Sequence, residues 1–442
     1  MMKIPVNIPF NPRRSPVFYG WIILFAGIIG VIMSIPGQTM GVSVFTDHLI
    51  RDLSMSRVSL STAYLLGTAA SGFIITHAGT LYDRMGARII AIFAGFFLGV
   101  MLIYLTQVDV IASFLVRIFP GFNSGVVIFV LMVLGFFGIR FFGQGVLTMT
   151  SRNMVMKWFD QRRGFANSFL GIFTAFGFSY SPRIIQKMID FSGWRHAWIY
   201  MAVISGVVFV IFAFTFFRDN PEDAGLIPDG RQKKITAKKK FKSTPDKDYT
   251  LSEAVRTFSF WVFNLTLTMN ALYLTAYTFQ VESIFAHYGF DAEKAVSIFL
   301  PTAFVAVPFT FFSSWASDYM RLKYLLTLNL VGLLLSMAGM ITLGSPVGIP
   351  LIIAGNGISN GMFGILMAIT WPRFFGVKHL GQISGFAMSW TVIGSALGPF
   401  LFSVSNRMTN SYNPSVFILA AVTFVLFLLS FRANNISDTR ES

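Results

Sequence analysis

The sequence predicts an all-α membrane protein with twelve transmembrane helices in two six-helix pseudo-repeats. Composition is the first ground: 54% of the 442 residues are hydrophobic and 12% are charged, against roughly 25% charged in an ordinary soluble domain. Size is the second. Soluble chains split into domains beyond about 250–300 residues, so one large core does not account for fifty Phe and a mean hydropathy of +0.66. The third is periodicity of a coarse kind, twelve apolar runs near the ~20 residues that a ~30 Å hydrocarbon core requires.

The first run, 17–46, is longer than the apolar region of a cleavable signal peptide, and no clear small-residue cleavage site follows it. Within it Ser34 and Gln38 stand four apart around Pro36-Gly37, a predicted kink where backbone groups become available. Runs at 57–78 and 88–107 follow. Residues 109–124, with Arg117, Pro120 and Asn123, are too short and polar to span and read as an external segment on the membrane surface. The fourth run, 125–150, carries Arg140 near its middle; 164–187 and 195–217 complete the first set. A polar linker, 218–256, separates domain 1–217 from domain 257–442, whose runs are 257–281, 293–314, 322–343, 348–371, 380–405 and 414–431. Small-residue spacings, Gly171 with Ala175 and Gly177 and Gly394 with Gly398, read as close helix packing.

Charge sets the topology. Cytoplasmic loops hold an excess of Lys and Arg, and with the N-terminus inside, 25 of the 34 basic residues fall on that side. Both termini are then cytoplasmic, in a cell (inner) membrane. The net charge of +15 concentrates at Lys233, Lys234, Lys238, Lys239, Lys240 and Lys242. Aromatic residues do not alternate with the charges, Phe241 standing alone among them, so this run reads as an anchor on anionic lipid, not a nucleic-acid site. The absence of Cys and the scatter of five His exclude thiolate chemistry and a zinc motif, so no metal or cofactor is expected.

Internal similarity supports a duplication. Gly79, Asp83 and Arg88 correspond to Ser314, Asp318 and Lys323 at a constant offset. Trp158, Phe159, Arg162, Gly164 and Pro182 correspond to Phe374, Phe375, Lys378, Gly381 and Pro399 with one extra residue. The run Gly79-Thr-Leu-Tyr-Asp83-Arg84-Met-Gly86-Ala-Arg88 resembles the loop between helices two and three of the major facilitator superfamily. That resemblance implies a twelve-helix fold and a cytoplasmic latch of Gly79, Asp83, Arg84, Gly86 and Arg88, with a weaker copy at Asp318 and Arg321. A carboxylate such as Asp83 suits the free N–H groups of a helix N-terminus.

A narrower resemblance, to the oxalate:formate antiporter and monocarboxylate transporter group, rests on other segments. These are Tyr19-Gly20-Trp21, Lys157-Trp158-Phe159 with Arg162-Arg163-Gly164, Gly193-Trp194-Arg195, Asn220-Pro221-Glu222-Asp223-Ala224-Gly225-Leu226, Leu251-Ser-Glu253-Ala254, Phe260-Trp261 and Leu397-Gly398-Pro399. The group commonly places a basic residue in the eighth or eleventh helix. Here 293–314 has only Lys294, at its outer end, and 380–405 has no Lys or Arg.

Arg140 therefore stands out. A central Arg costs at least ~2.5–3.5 kcal/mol unless it faces a cavity or partner, and no Asp or Glu lies in any predicted helix centre. Two readings stay open: a guanidinium fork for a carboxylate or other oxyanion, or a structural clamp on backbone carbonyls of an adjacent helix. In this fold helices one, four, seven and ten line the pathway, which makes Ser34, Gln38, Gln144, Asn270, Tyr273, Tyr277, Asn356 and Asn360 further substrate-binding candidates. Each is equally a candidate for a plain interhelical hydrogen bond. Asp47 and Glu282 are the carboxylates near enough for coupling to a proton; exchange against a counter-substrate is the other route.

The expected function is secondary active transport of a small organic anion, a carboxylate first among them, by alternating access. No P-loop motif is present for an ATP-driven pump, and no central Asp, Glu, His or Cys cluster for an enzyme. The alternatives are the same fold moving a neutral or zwitterionic solute, with Arg140 structural, and a receptor-like membrane protein that moves nothing.

Overall fold

The computed structural model describes residues 4–159, 163–230, 249–376 and 380–433. The Lys-rich run, Arg162 and Lys378 lie outside these residues, as do the side chains of Asp83 and Asp318. The described residues form helices and turns with no strand, and the chain divides into two compact units, Met1–Ile235 and Thr236–Ser442.

The first unit holds α1 (Tyr19–Ser43), α2 (Arg57–Met85), α3 (Ala87–Thr106), α4 (Ser124–Trp158), α5 (Arg163–Ser192) and α6 (Trp194–Phe216). The second holds α7 (Phe258–Phe279), α8 (Phe299–Tyr319), α9 (Leu322–Ile341), α10 (Gly348–Phe375), α11 (Leu380–Thr409) and α12 (Asn413–Ser430). Ten helices among the described residues combine the length and hydropathy needed to cross a membrane. The two others, α5 and α7, have 30 and 22 residues and carry more polar side chains, such as Asn264 and Asn270 in α7. Outward-facing side chains are apolar, with Phe73 69% and Phe304 63% exposed; a hydrocarbon surround makes that favourable and explains the composition.

Packing repeats between the units. In the first, α1 packs on α5, α2 on α4, α3 on α6 and α3 on α4; in the second, α7 packs on α11, α8 on α10, α9 on α12 and α9 on α10. Gly394 and Gly398 do press α11 against α7, where a Cβ on Gly398 would fall 2.2 Å from the Leu272 carbonyl oxygen. Gly171 is a correction: nothing lies within 4 Å of its Cβ position, so it makes no close packing.

Helix ends also depart from the apolar runs. The segment Gly79–Met85, expected as a loop, is the last two turns of α2, because a helix satisfies its own backbone and continues beyond the bilayer where its side chains turn polar. The turn is Gly86 alone, at φ +86°. A Cβ there would meet the Asp219 carboxylate at 2.2 Å, so conformation and space both demand glycine. The Asp219 carboxylate in turn accepts the Arg88 backbone N–H at 2.9 Å, at the positive end of α3. The segment 109–124 includes a helix, Val108–Ile118, with Val108 and Ala112 buried and Phe114 and Ile118 exposed. Its 11 residues are too few to span.

Arg88 shows what the repeated basic position does. It is 2% exposed, and its guanidinium donates to the carbonyls of Phe214 in α6 (2.9 Å from Nε), Pro5 (3.3 Å) and Ile8. In the second unit Lys323 Nζ donates to the Phe431 carbonyl at the end of α12, 3.2 Å away. Both cations tie the start of a unit's third helix to the end of its sixth, where the dipole leaves carbonyls partly negative. Arg218 works beside Arg88, donating to Val6 (2.8 Å) and Phe10 (3.2 Å); burial pushes its pKa down. Arg88→Gln is expected to release residues 4–10, because hydrogen bonds from a charged donor contribute about 1.5–3 kcal/mol each in buried settings. Limited proteolysis would then cut the N-terminal segment first; equal resistance in wild type and variant would refute the assignment.

At the other end of α6, Trp194 Nε1 donates to Asp52 at 2.7 Å, and Arg195 bridges Asp52 (3.3 Å) and Asp109 (2.7 Å). The Trp194 indole, then Arg51 and Arg195, hold the Asp52 carboxyl below its ordinary value against burial that raises it. A depressed carboxylate stabilises the fold above its unfolded pKa of about 3.9 and loses that contribution as pH falls through the lower folded value. Wild type should therefore melt above Asp52→Asn at pH 7, by less than about 1 kcal/mol of stability for so accessible a pair. The gap should close below about pH 4. A gap that persists there would show that packing, not ionisation, sets it.

Candidate functional site

Pro36 interrupts α1: the chain turns through Ile35–Gly37 and resumes as a helix at Thr39. The break leaves carbonyls without helical partners. Arg140 takes one of them, its Nη1 donating to the Gly37 carbonyl at 3.0 Å and reaching the Thr39 hydroxyl at 3.4 Å. The Thr39 hydroxyl lies 3.0 Å from that of Tyr64, over whose ring the guanidinium sits at 5.2 Å. Arg140 is 1% exposed and its Nε has no partner. Among the described residues no carboxylate pairs with it.

The crossing of α1 and α4 needs bare backbone. A Cβ on Gly37 would lie 2.1 Å from the Ile139 carbonyl oxygen and 2.8 Å from Gly143 Cα; one on Gly143 would lie 2.9 Å from Gly37 Cα. From Arg140 to Leu147 α4 widens into a π-helix, an irregularity frequent at functional sites. One turn further, Gln38 Nε2 donates to Ser34 Oγ at 2.9 Å and to Thr148 Oγ1 at 3.2 Å, and the two hydroxyls are 3.1 Å apart. Gln144 is half-buried, with its backbone in the same crossing.

Four predicted residues of the first unit are thus brought together, and Thr39, Tyr64 and Thr148 join them. Thr148 carries a sequence signal, four residues beyond Gln144 on the same run. Tyr64 carries none, since only the packing of α2 on α4 brings it there.

In the second unit the candidates separate. Asn270 Nδ2 donates to Ser359 Oγ in α10 at 3.2 Å, and the Tyr273 hydroxyl meets Ser336 Oγ in α9 at 2.8 Å. These two side chains are engaged between helices, because each lies on the face of α7 turned toward its own unit. Tyr277, stacked on Tyr273 with ring centroids 6.2 Å apart, has a buried hydroxyl without a partner, as does the Asn356 side-chain oxygen. Asn360 is half-buried. Asp47 pairs with Arg57, and Glu282 Oε1 is buried. No group of three His, Cys, Asp or Glu that could hold a metal comes together among the described residues.

Comparison with known families places the fold. The family described as Major Facilitator Superfamily matches residues 27–399. The chain belongs to the Major Facilitator Superfamily. It is a multi-pass membrane protein. Among curated relatives, the oxalate:formate antiporter of Oxalobacter formigenes is 22% identical over 242 residues, 55% of this chain and 50% of that protein. The uncharacterized MFS-type transporter YhjX of Escherichia coli (strain K12) is 25% identical over 300 residues, 66% of this chain and 64% of that protein. The chain spans about half to under two thirds of the length of these relatives.

In this member of the superfamily the expected latch is partly reassigned. Gly86 and Arg88 work within the first unit, at the α2–α3 turn and on the end of α6, and Asp219, which sequence reasoning missed, is the carboxylate at the α3 N-terminus. Arg84 is exposed at the end of α2, as is Arg321 ahead of α9.

Proposed function

We propose that the protein is a secondary active transporter of a small organic anion, a carboxylate, working by alternating access. The observation that carries this reading is Arg140, a fully buried cation with no acidic partner among the described residues and an Nε that donates to nothing. A buried charge is costly unless something compensates it, and an anionic substrate that accepts from the guanidinium fork supplies that compensation during the cycle. Gln38, Gln144, Thr39 and Thr148 add neutral donors around it. One relative, an oxalate:formate antiporter, supports exchange of one carboxylate for another. The pairing of Asp47 with Arg57 argues in the same direction, away from a free proton carrier there. We place the protein in the cell (inner) membrane with both termini cytoplasmic, on the excess of basic residues in those segments.

The second reading, a neutral or zwitterionic substrate with Arg140 structural, is favoured by the bond from Arg140 to the Gly37 carbonyl. A thermal-shift screen of purified protein against carboxylates, amino acids and sugars separates the two, since a bound ligand stabilises by RT ln(1 + [L]/Kd). Stabilisation by carboxylates alone is the expected result; stabilisation by sugars or uncharged solutes alone would refute the anion reading.

A further inference from the structure

The N-terminal segment does more than cover the end of α6. Between it and the start of α1 lies a cavity of about 710 Å³ whose polar wall is Asn7, Asn11, Arg14 and Ser15 and whose apolar wall includes Phe10 and Ile22. The polar groups are left with unused donors. Asn11 Oδ1 accepts the Arg13 backbone N–H at 3.0 Å, which leaves the Asn11 amide N–H groups to donate elsewhere. Ser15 Oγ has no partner, and no described group pairs with the exposed Arg14 guanidinium.

Arg14 is the one charged residue that lines the cavity. Arg218 stands behind it, 5.0 Å from the Phe10 ring centroid and 5.9 Å from that of Tyr19. The neighbouring Asp219 is taken up by the Arg88 backbone N–H. Donors in a positive field select an anion with several acceptor oxygens, and a guanidinium matches a phosphate geometrically. The cavity opens where α1 enters its apolar run at Tyr19, and Ile8, Val17 and Phe25 expose 45%, 54% and 59% of their surface close by in the chain. A ligand held there by its phosphate would lay an acyl chain on apolar side chains.

We propose that this cavity is a binding site for the phosphate headgroup of an anionic glycerophospholipid, with Arg14 as its principal contact and Asn7, Asn11 and Ser15 as neutral donors. The site is confined to the first unit and is independent of the substrate assignment. Inorganic phosphate shares the headgroup chemistry but lacks the chain.

The test uses the full-length protein, delipidated in neutral detergent and titrated with phosphatidylglycerol, phosphatidylcholine or inorganic phosphate, read by native mass spectrometry and melting temperature. Phosphatidylglycerol should be retained and should stabilise more than the other two. Arg14→Gln should weaken its retention about tenfold, the value of one charge-assisted contact, with the lipid-free melting temperature unchanged because this guanidinium bonds none of the described residues. Arg117→Gln, which removes an equally exposed charge elsewhere, should change neither. Asn7→Ala gives a second, milder loss that does not depend on Arg14. Equal retention in Arg14→Gln and wild type would overturn the site, as would equal binding of phosphatidylcholine. Stabilisation by inorganic phosphate matching that by phosphatidylglycerol would overturn the lipid assignment.

Discussion

Arg140→Gln is expected to weaken binding of the stabilising carboxylate by about ten- to a hundredfold, the equivalent of one charge-assisted contact of roughly 1.5–3 kcal/mol. The ligand-free melting temperature should stay close to wild type. Two opposing terms lead there. The variant gives up the bond to the Gly37 carbonyl and the contact with the Tyr64 ring, but it also removes an uncompensated buried charge, whose loss is often neutral or favourable. If Arg140 were only a clamp on α1, the first term would dominate and the variant would melt lower with or without ligand. Arg140→Lys keeps the charge and loses the planar fork, so it should retain part of the affinity. The decisive measurement is melting temperature for all three proteins with and without the best carboxylate. A Gln variant that melts far lower alone, yet gains as much from ligand as wild type, would refute the substrate role.

The second large effect is expected at Gly37. An alanine there places a Cβ 2.1 Å from the Ile139 carbonyl oxygen and 2.8 Å from Gly143 Cα. Both are main-chain atoms, so no side chain can swing aside and α1 must move off α4. Overpacking of this kind costs typically about 1–3 kcal/mol, occasionally more. It also carries the Gly37 carbonyl away from Arg140. Gly37→Ala should therefore lower the melting temperature and transport in proteoliposomes together. Gly171→Ala is the control, because nothing lies within 4 Å of its Cβ position and alanine is the better helix former. A Gly37→Ala protein as stable and active as the control would show that the crossing is looser than its geometry requires.

Much of the architecture was legible in advance because a bilayer reads composition along a segment. Each of the twelve apolar runs became a helix, and the helix of 108–118 is as short as its run implied. Helix ends were not legible in the same way. Hydropathy marks where lipid stops, whereas α2 continues to Met85 because backbone hydrogen bonding does not stop there. The candidate site divides along a similar line. Arg140 was conspicuous as a charge in a run with nothing to neutralise it. Its contacts with Gly37, Thr39 and Tyr64 were invisible, since these residues are 76 to 103 positions away in the chain.

The sequence by itself determined that this protein lives in a bilayer, that it is built twice over, and which charge its interior carries. These follow from properties of single segments: apolar content, basic residues in loops, and corresponding residues at constant offsets. Only the tertiary structure decided which polar groups are used up. Asn270 and Tyr273 stand on one helical face with Tyr277, yet two of the three find partners on α9 and α10 and the third does not. Arg88 shares one short motif with Asp83 in sequence, but its guanidinium reaches α6 and the N-terminal segment. Hydrogen bonding is satisfied over about 3 Å in space, and helix crossings, which no local pattern encodes, bring those partners within reach.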